Sequence, residues 1–216
     1  SRQSLSEDAC LAGNTCMKKI VSADTGGIGE AIRVIAADGV VAYPTETVYG
    51  LAVNPFSEPA LDALFRVKAR DETHPVLLIV GGAGQIAALA DTMPDRARAC
   101  MKAFWPGPLS LLLPGVSSLP GRLLDDAGRF CVRCPGHPVA RELCRQWGGA
   151  LTSTSANLSG LPPAVTAEEA ALPGVALTLD GGKLEIHAPS TVYDPDADII
   201  LRLGEITKEM IERVCP

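Results

Sequence analysis

Hydrophobic and polar positions along the chain alternate between two periods. In "GGIGEAIRVIAADG", Ile28, Ala31, Ile32 and Ile35 recur at helical spacing, and Gly39 stands where such a helix should end. "VVAYP" then reads as a buried strand stopped by Pro44. Ser57 is placed to cap a helix over "EPALDALFRVKA", whose apolar stripe is Leu61, Leu64 and Phe65. "KIV", "PVLLIV", "LSLLLP", "RFCVRC", "ALTS", "VALTLD", "STVYD" and "DIILRL" have the look of strands. Helices are expected over 84–90, 94–104, "HPVARELCRQW" and "KEMIERV". Strands come too often for a helical bundle and helices too often for a sandwich. The pattern predicts one α/β domain over residues 17–216, a twisted mixed sheet with flanking helices. Residues 1–16 are polar and aperiodic, an expected disordered arm or expression remnant ahead of Met17.

Composition narrows the class. With 216 residues, 47% hydrophobic and 20% charged, the chain can bury a substantial core and is not a disordered protein. No apolar run approaches the roughly 18 residues of a membrane span. No basic stretch followed by an apolar one marks a secretory signal, so a cytoplasmic protein with no membrane partner is expected. A net charge of -6 argues against binding nucleic acid through general phosphate attraction, although a local basic cleft is compatible with it. Seven cysteines, an odd number in a chain of this length, are expected to be reduced thiols. Cys131, Cys134 and His137 have the spacing of half a zinc site. Cys131 falls in an apolar alternation, Cys144 on an apolar helix face, and no second pair follows, so no bound zinc is expected.

The candidate chemistry lies elsewhere. "TGGIGEAI" and "GGAGQIAAL" each place glycines before a helix, but neither is a P-loop or a full dinucleotide fingerprint. Lys68 follows Leu64 by four residues and Phe65 by three, so on a helix it stands above the apolar face, directed toward the next loop. Lys68 and Arg70 are either a basic pair complementing a helix C-terminus or two cations aimed into a cleft to hold a polyphosphate. Arg133 interrupts an apolar strand, which places it on an exposed face or opposite a carboxylate or phosphate. "ALTSTSANLSGLPP" is crowded with hydroxyls. It reads as a loop, or as a cradle of donors around an anionic ligand.

"VVAYPTETVYGLAVNPF", "KAR" followed by "HPVLLIV", "FWPGPLSLLL", "VRCPGHPVA", "STSANLSG" and "STVYD" together resemble the YrdC family of threonylcarbamoyl-AMP synthases, in its short single-domain (TsaC-like) form. The blocks run in family order from Val40 to Arg202. The resemblance implies a concave α/β fold and a nucleotidyltransferase. Such an enzyme joins L-threonine, bicarbonate and ATP, with Mg2+ on the phosphates, into threonylcarbamoyl-AMP and pyrophosphate. Partner proteins would then transfer the threonylcarbamoyl group to adenosine 37 of tRNA, and RNA would bind this chain weakly at most. The resemblance carries the family's paired motifs onto Lys68 with Arg70, as catalytic and ATP-binding, and onto Ser155 with Asn157. It adds His74 and Arg202 as nucleotide contacts, and Thr47, Arg133, Ser153 and Ser190 as threonine contacts.

The chain departs from the family pattern in three places. His74 stands where many members have Asn, Pro163 where a serine is usual, and Ile79 where some relatives have a histidine. Two rival readings remain. A carbamoyltransferase module of the hydrogenase-maturation type would be expected to bring zinc-finger and acylphosphatase regions. A double-stranded-RNA-binding protein using the concave face would have to overcome the acidic net charge.

Overall fold

A computed structural model describes residues 19–69, 76–185 and 187–215; the arm expected over 1–16 lies outside the described residues. Strand β1 (Ile20–Ser22) leads into helix α1 (Thr25–Ala36), whose first turn is closed by the Asp24 carboxylate accepting the Gly27 N–H at 2.9 Å. The helix ends through Asp38, which takes the left-handed conformation at φ 60°. Gly39, expected to end it, serves a different need. A Cβ there would lie 2.6 Å from Val34 Cγ1.

Strand β2 (Val40–Tyr43) is buried throughout, and β3 (Gly50–Ala52) folds back on it through the connection 44–49. Helix α2 (Glu58–Lys68) begins as expected at Ser57, whose Oγ accepts the Ala60 N–H. The chain continues through β4 (Leu78–Ile79), a 3-10 helix at Ala83–Ala88, α3 (Asp95–Phe104) and β5 (Leu109–Pro114). After a 3-10 turn at Gly121–Leu123 come β6 (Arg129–Arg133), α4 (Pro138–Trp147), β7 (Leu151–Thr152) and β8 (Thr154–Ser155). The rest is α5 (Ala167–Ala170), β9 (Val175–Asp180), β10 (Thr191–Asp194), β11 (Ile199–Arg202) and α6 (Lys208–Val214). Helix α5 and strand β3 carry too few residues to show a period. The helix expected over 84–90 closes as a 3-10 helix, and the strand expected from "PVLLIV" pairs over only two residues.

The expected mixed α/β architecture is present, with its strands shared between two mixed sheets. One has the order β1-β9-β2-β3-β8 and the other β11-β10-β5-β6-β4-β7. Strand alternation divides the interior into two cores. Val40 and Ala42 of β2 enter one, with Leu61 and Leu64 of α2 and Leu109, Leu111 and Leu113 of β5. Val41 and Tyr43 enter the other, with Ile28, Ala31 and Ile35 of α1 and Leu143 of α4. A strand feeding both cores must be apolar at every position, which is why β2 shows no polar face.

The sheets meet at the hydroxyl-rich stretch. Strand β7 pairs antiparallel with β4 in the second sheet, and β8 pairs antiparallel with β3 in the first. Ser153, between them, is where the chain crosses from one sheet to the other.

Candidate functional site

Above that crossing lies a cleft of about 430 Å³ lined by Thr47, Arg133, Ser153, Ser155, Ser190 and Arg202, among others. These six residues come from five separate parts of the chain, Ser153 and Ser155 sharing one. Lys68 and Asn157 do not line it, and Arg70 and His74 lie outside the described residues.

On the strand side, alternation aims the side chains. Phe130 and Val132 of β6 face the core, so Cys131 and Arg133 face the cleft. Arg133 has a side chain only 4% exposed and pairs through Nη1 with Glu46 Oε1 at 2.7 Å. The sequence left Arg133 either exposed or paired, and the structure shows it paired. Glu46 Oε2 also accepts the backbone N–H of His137 at 3.4 Å, so one carboxylate ties the 44–49 connection to β6 and to the start of α4. Arg133 Nε is buried without a hydrogen-bond partner among the described residues. Thr45 shapes that connection. Its Oγ1 accepts the N–H groups of Thr47 and Val48, both at 3.2 Å, and donates to Val48 O at 2.6 Å. This turn sets Thr47 at the cleft wall.

A β-bulge places Arg202. The register of β10 against β11 runs Val192–Arg202, then Tyr193–Ile200, leaving Leu201 unopposed. Ile200 therefore packs with Tyr193 against the core, while Arg202 joins Val192 on the cleft side. Its Nε and Nη2 donate to Ser190 O at 3.1 and 2.9 Å, and Nη2 also donates to Ser190 Oγ at 3.0 Å. Ser190 Oγ lies 2.9 Å from Ser110 Oγ on β5. Ser153 is held as tightly: its Oγ accepts from Tyr43 O–H at 2.7 Å, and its N–H donates to Leu77 O at 2.6 Å. Burial drives the Tyr43 phenol far above its ordinary pKa, so it remains a donor.

On the loop side, Ser155 Oγ donates to Asn157 Oδ1 at 2.6 Å, and Asn157 Nδ2 donates to Leu161 O at 2.5 Å. Lys68, only 5% exposed, lies beneath this loop. Its ammonium donates to Ser155 O, Asn157 O and Asn157 Oδ1 at 2.6, 2.8 and 2.7 Å. Of the two readings open for Lys68, a helix-end charge or a cation aimed into a cleft, the structure shows a third arrangement, with the ammonium beneath the loop. The last turn of α2 aims it at the loop backbone instead. Asn157 and Pro163 line a neighbouring apolar hollow of about 460 Å³.

The cysteines separate. Cys131 lines the cleft, its thiol pushed up to about 12 by burial against the opposing pull of Arg202 and Arg133. Cys134 belongs to the core. His137 uses Nδ1 to accept the Val139 N–H at 3.2 Å. Among the described residues, no group of three or more His, Cys, Asp or Glu side chains is placed to hold a metal. Ile79, at the position where some relatives have histidine, is fully buried in the second core.

Sequence reasoning missed Glu46, Thr45, Tyr43 and Ser110. Glu46 left one usable trace, a lone carboxylate between two threonines in a chain that also sets an arginine inside an apolar strand. Tyr43 and Ser110 left none, because their partners are 110 and 80 residues away. Chemically, the cleft offers two guanidinium groups, several fixed hydroxyls and a protonated thiol. Among the described residues lining it, none carries a carboxylate or imidazole. Such a site holds anions and stabilises developing charge through preorganised donors.

The sequence profile of the Sua5/YciO/YrdC family, described as "Telomere recombination", matches residues 33–204. A Mycobacterium tuberculosis (strain CDC 1551 / Oshkosh) protein is 42% identical over 193 residues, 87% of this chain and 88% of its own length. The threonylcarbamoyl-AMP synthase of Bacillus subtilis (strain 168) is 38% identical over 87% of this chain, which spans 56% of that protein. The structure of P. abyssi Sua5 complexed with L-threonine superposes with a TM-score of 0.80 at 32% identity. It covers 91% of this chain, and the match spans 59% of that chain.

Proposed function

The chain belongs to the Sua5/YciO/YrdC family, and from that premise we propose that it is a threonylcarbamoyl-AMP synthase. It joins L-threonine, bicarbonate and ATP into threonylcarbamoyl-AMP and pyrophosphate, for threonylcarbamoylation of tRNA adenosine 37 by separate transfer proteins. One observation carries the reading. Six residues from five separate stretches of the chain, two of them arginines, converge on one cleft.

In the proposed reaction, the threonine amine attacks the bicarbonate carbon, and water leaves as the carbamate forms. A carbamate oxygen then attacks the α-phosphorus, and pyrophosphate departs with the electron pair of the broken P–O bond. Three anionic groups must share the cleft. Arg133, with Thr47 and Ser153, is proposed to hold the amino-acid carboxylate. Arg202 with Ser190, and the loop of Ser155 and Asn157, are proposed to face the nucleotide, with Arg70 and His74 as further ATP contacts. Fixed donors of this kind stabilise an in-line phosphoryl displacement without a protein nucleophile. The nucleotide enters as its magnesium complex. The neighbouring carboxylate, Glu46, is committed to Arg133, so phosphates and water are proposed as the ion's ligands.

No described helix is long and apolar enough to cross a membrane, and the cytoplasm is the proposed compartment. The test is pyrophosphate release from ATP by the purified chain. Release is expected only with threonine, bicarbonate and magnesium together. Equal release without threonine would make the protein a plain nucleotide hydrolase.

A further inference from the structure

An ammonium group has three N–H donors, and those of Lys68 meet three acceptors on one loop. Ser155 O, Asn157 O and Asn157 Oδ1 lie at 2.6, 2.8 and 2.7 Å from Nζ, all within strong charge-assisted range. The backbone joins in, since Lys68 O accepts the Ser159 N–H at 3.2 Å. Both ends of one residue therefore hold the 155–159 segment. The next residue makes this geometry available. Ala69 adopts the left-handed conformation at φ 47° and ψ 42°, closing α2 one residue past Lys68. A non-glycine residue there costs roughly 1 kcal/mol, so the stop is imposed by its surroundings.

From these contacts we infer that Lys68 is a positioning residue. It fixes the Ser155–Asn157 loop in its binding shape and acts on the nucleotide through that loop, not as a direct ligand of the triphosphate. This rests on the proposed synthase reading. The loop is also tied at its start, by the β8 ladder to β3 and by the Ala156 N–H donating to Tyr49 O at 2.8 Å. Lys68 apart, Asn157 itself has only short-range ties, to Ser155 and Leu161, among the described residues. Beyond the buried Ala156, the exposed stretch 158–163 opens readily, because few buried contacts resist it. Lys68 supplies the long-range anchor on the Asn157 side, reaching 87 and 89 residues along the chain. Three convergent charge-assisted bonds at a buried site remove the loop's freedom before the nucleotide arrives, so binding need not supply that ordering.

Three measurements on the full chain test the inference. The first is amide hydrogen exchange without nucleotide. Lys68→Met should raise exchange at Ser159 and its neighbours by about tenfold or more, the range set by losing a charged hydrogen bond. Exchange in β5 and β6 should stay at the wild-type level. Unchanged protection of the loop would overturn the inference.

The second is a comparison of kcat/KM for ATP between Lys68→Met and Lys68→Gln. A glutamine amide can still donate to loop carbonyls but carries no charge. If the work is hydrogen bonding to the loop, Lys68→Met should lose about a hundredfold and Lys68→Gln about tenfold or less. Equal losses in the two variants would assign Lys68 to the phosphates. The third is the double variant Lys68→Met with Asn157→Ala. Two residues acting through one loop should be no worse together than about threefold beyond the worse single variant. Multiplying losses would mean independent contacts and overturn the inference. If the wild-type chain shows no threonine-dependent pyrophosphate release, the synthase reading fails, and hydrogen exchange alone still decides the loop.

Discussion

The two sides of the cleft are built on opposite plans. On the strand side, Arg133, Ser110, Ser190 and Arg202 are aimed by alternation and a bulge, and Arg133 and Ser110 are tied to partners far along the chain. On the loop side, the chain leaves the β3–β8 ladder at Ser155, the side chains of Ser155 and Asn157 bond within their own turn, and one buried lysine fastens the turn to α2. A charge held between packed strands must be compensated where it sits, so fold and function share the same groups. A loop presenting backbone and hydroxyl donors can be reshaped without disturbing the core. The strand side should therefore fail in stability and activity together, the loop side in activity alone.

Arg133→Ala should give the largest effect and the hardest test of that contrast. Removing one partner of a buried pair leaves Glu46 uncompensated, at a cost of roughly 3 kcal/mol or more. Loss of a preorganised cation should also lower turnover by about a hundredfold or more. Glu46→Gln keeps an acceptor for the His137 N–H but not the charge, and should fall between wild type and Arg133→Ala in both respects. Urea unfolding and pyrophosphate release on the same samples provide the check. Full stability in Arg133→Ala would break the comparison, since the strand side would then carry function without carrying fold.

Arg202→Ala should show that exposure grades the effect within the strand side. This guanidinium is exposed and bonded to Ser190, with no carboxylate partner among the described residues. Its loss should change stability by no more than about 0.5 kcal/mol, as at ordinary surface positions. Activity should fall by about tenfold or more, through KM for ATP more than for threonine. A larger rise in the threonine KM would move Arg202 to the amino-acid end of the cleft.

Legibility followed the same division. Strong periods located most elements, because an apolar run such as "VVAY" can only be buried, and a Ser57 ahead of a helical stripe can only usefully cap it. Arg133, Ser190 and Arg202 were singled out through their blocks, although Glu46, which pairs with Arg133, and Ser110, beside Ser190, were not. Lys68 was singled out, but its partners were not legible. Spacing on a helix gives the face a side chain occupies, but not what the chain folds beneath it 87 residues later. The division into two sheets was hidden for a related reason. Ser153 sits between strands of two residues each, too short to carry a period that would say which sheet each joins.

Tyr43→Phe sharpens the comparison with a smaller effect, because it removes a positioning group without touching charge. The phenol donates to Ser153 Oγ from full burial, and losing that bond should cost about 1 kcal/mol. Burial raises the Tyr43 pKa above its ordinary 10.0, so the folded chain keeps a proton that the unfolded chain releases at alkaline pH. The folded state then binds more protons above about pH 10, and stability must fall as pH rises there. Tyr43→Phe should flatten that fall, measured as the urea midpoint between neutral and alkaline pH. Threonine KM should rise while kcat changes little, since Ser153 would keep its backbone anchor at Leu77.

The smallest effect expected is at His137, and it asks how far the strand side's ion pair extends. His137 caps α4 through Nδ1, which can accept the Val139 N–H only while the imidazole is neutral. Desolvation lowers its pKa from 6.5, Glu46 pulls it back up, and Arg141 lowers it further. The unfolded chain therefore takes up a proton near pH 6.5 that the folded chain resists. Stability is complete above that pH and declines as pH falls through it toward the lower folded value. His137 is only half-buried, so solvent screens the effect, and a lost cap sets the scale at about 1 kcal/mol or less. His137→Asn keeps a capping oxygen and removes the titration, so its urea midpoint should be flatter between pH 7.5 and about pH 5. Pyrophosphate release at pH 7.5 should match wild type if Glu46 holds Arg133 independently of the ring. A fall in threonine affinity would instead mean that the start of α4, Glu46 and Arg133 move as one unit, widening the strand side of the comparison by a helix.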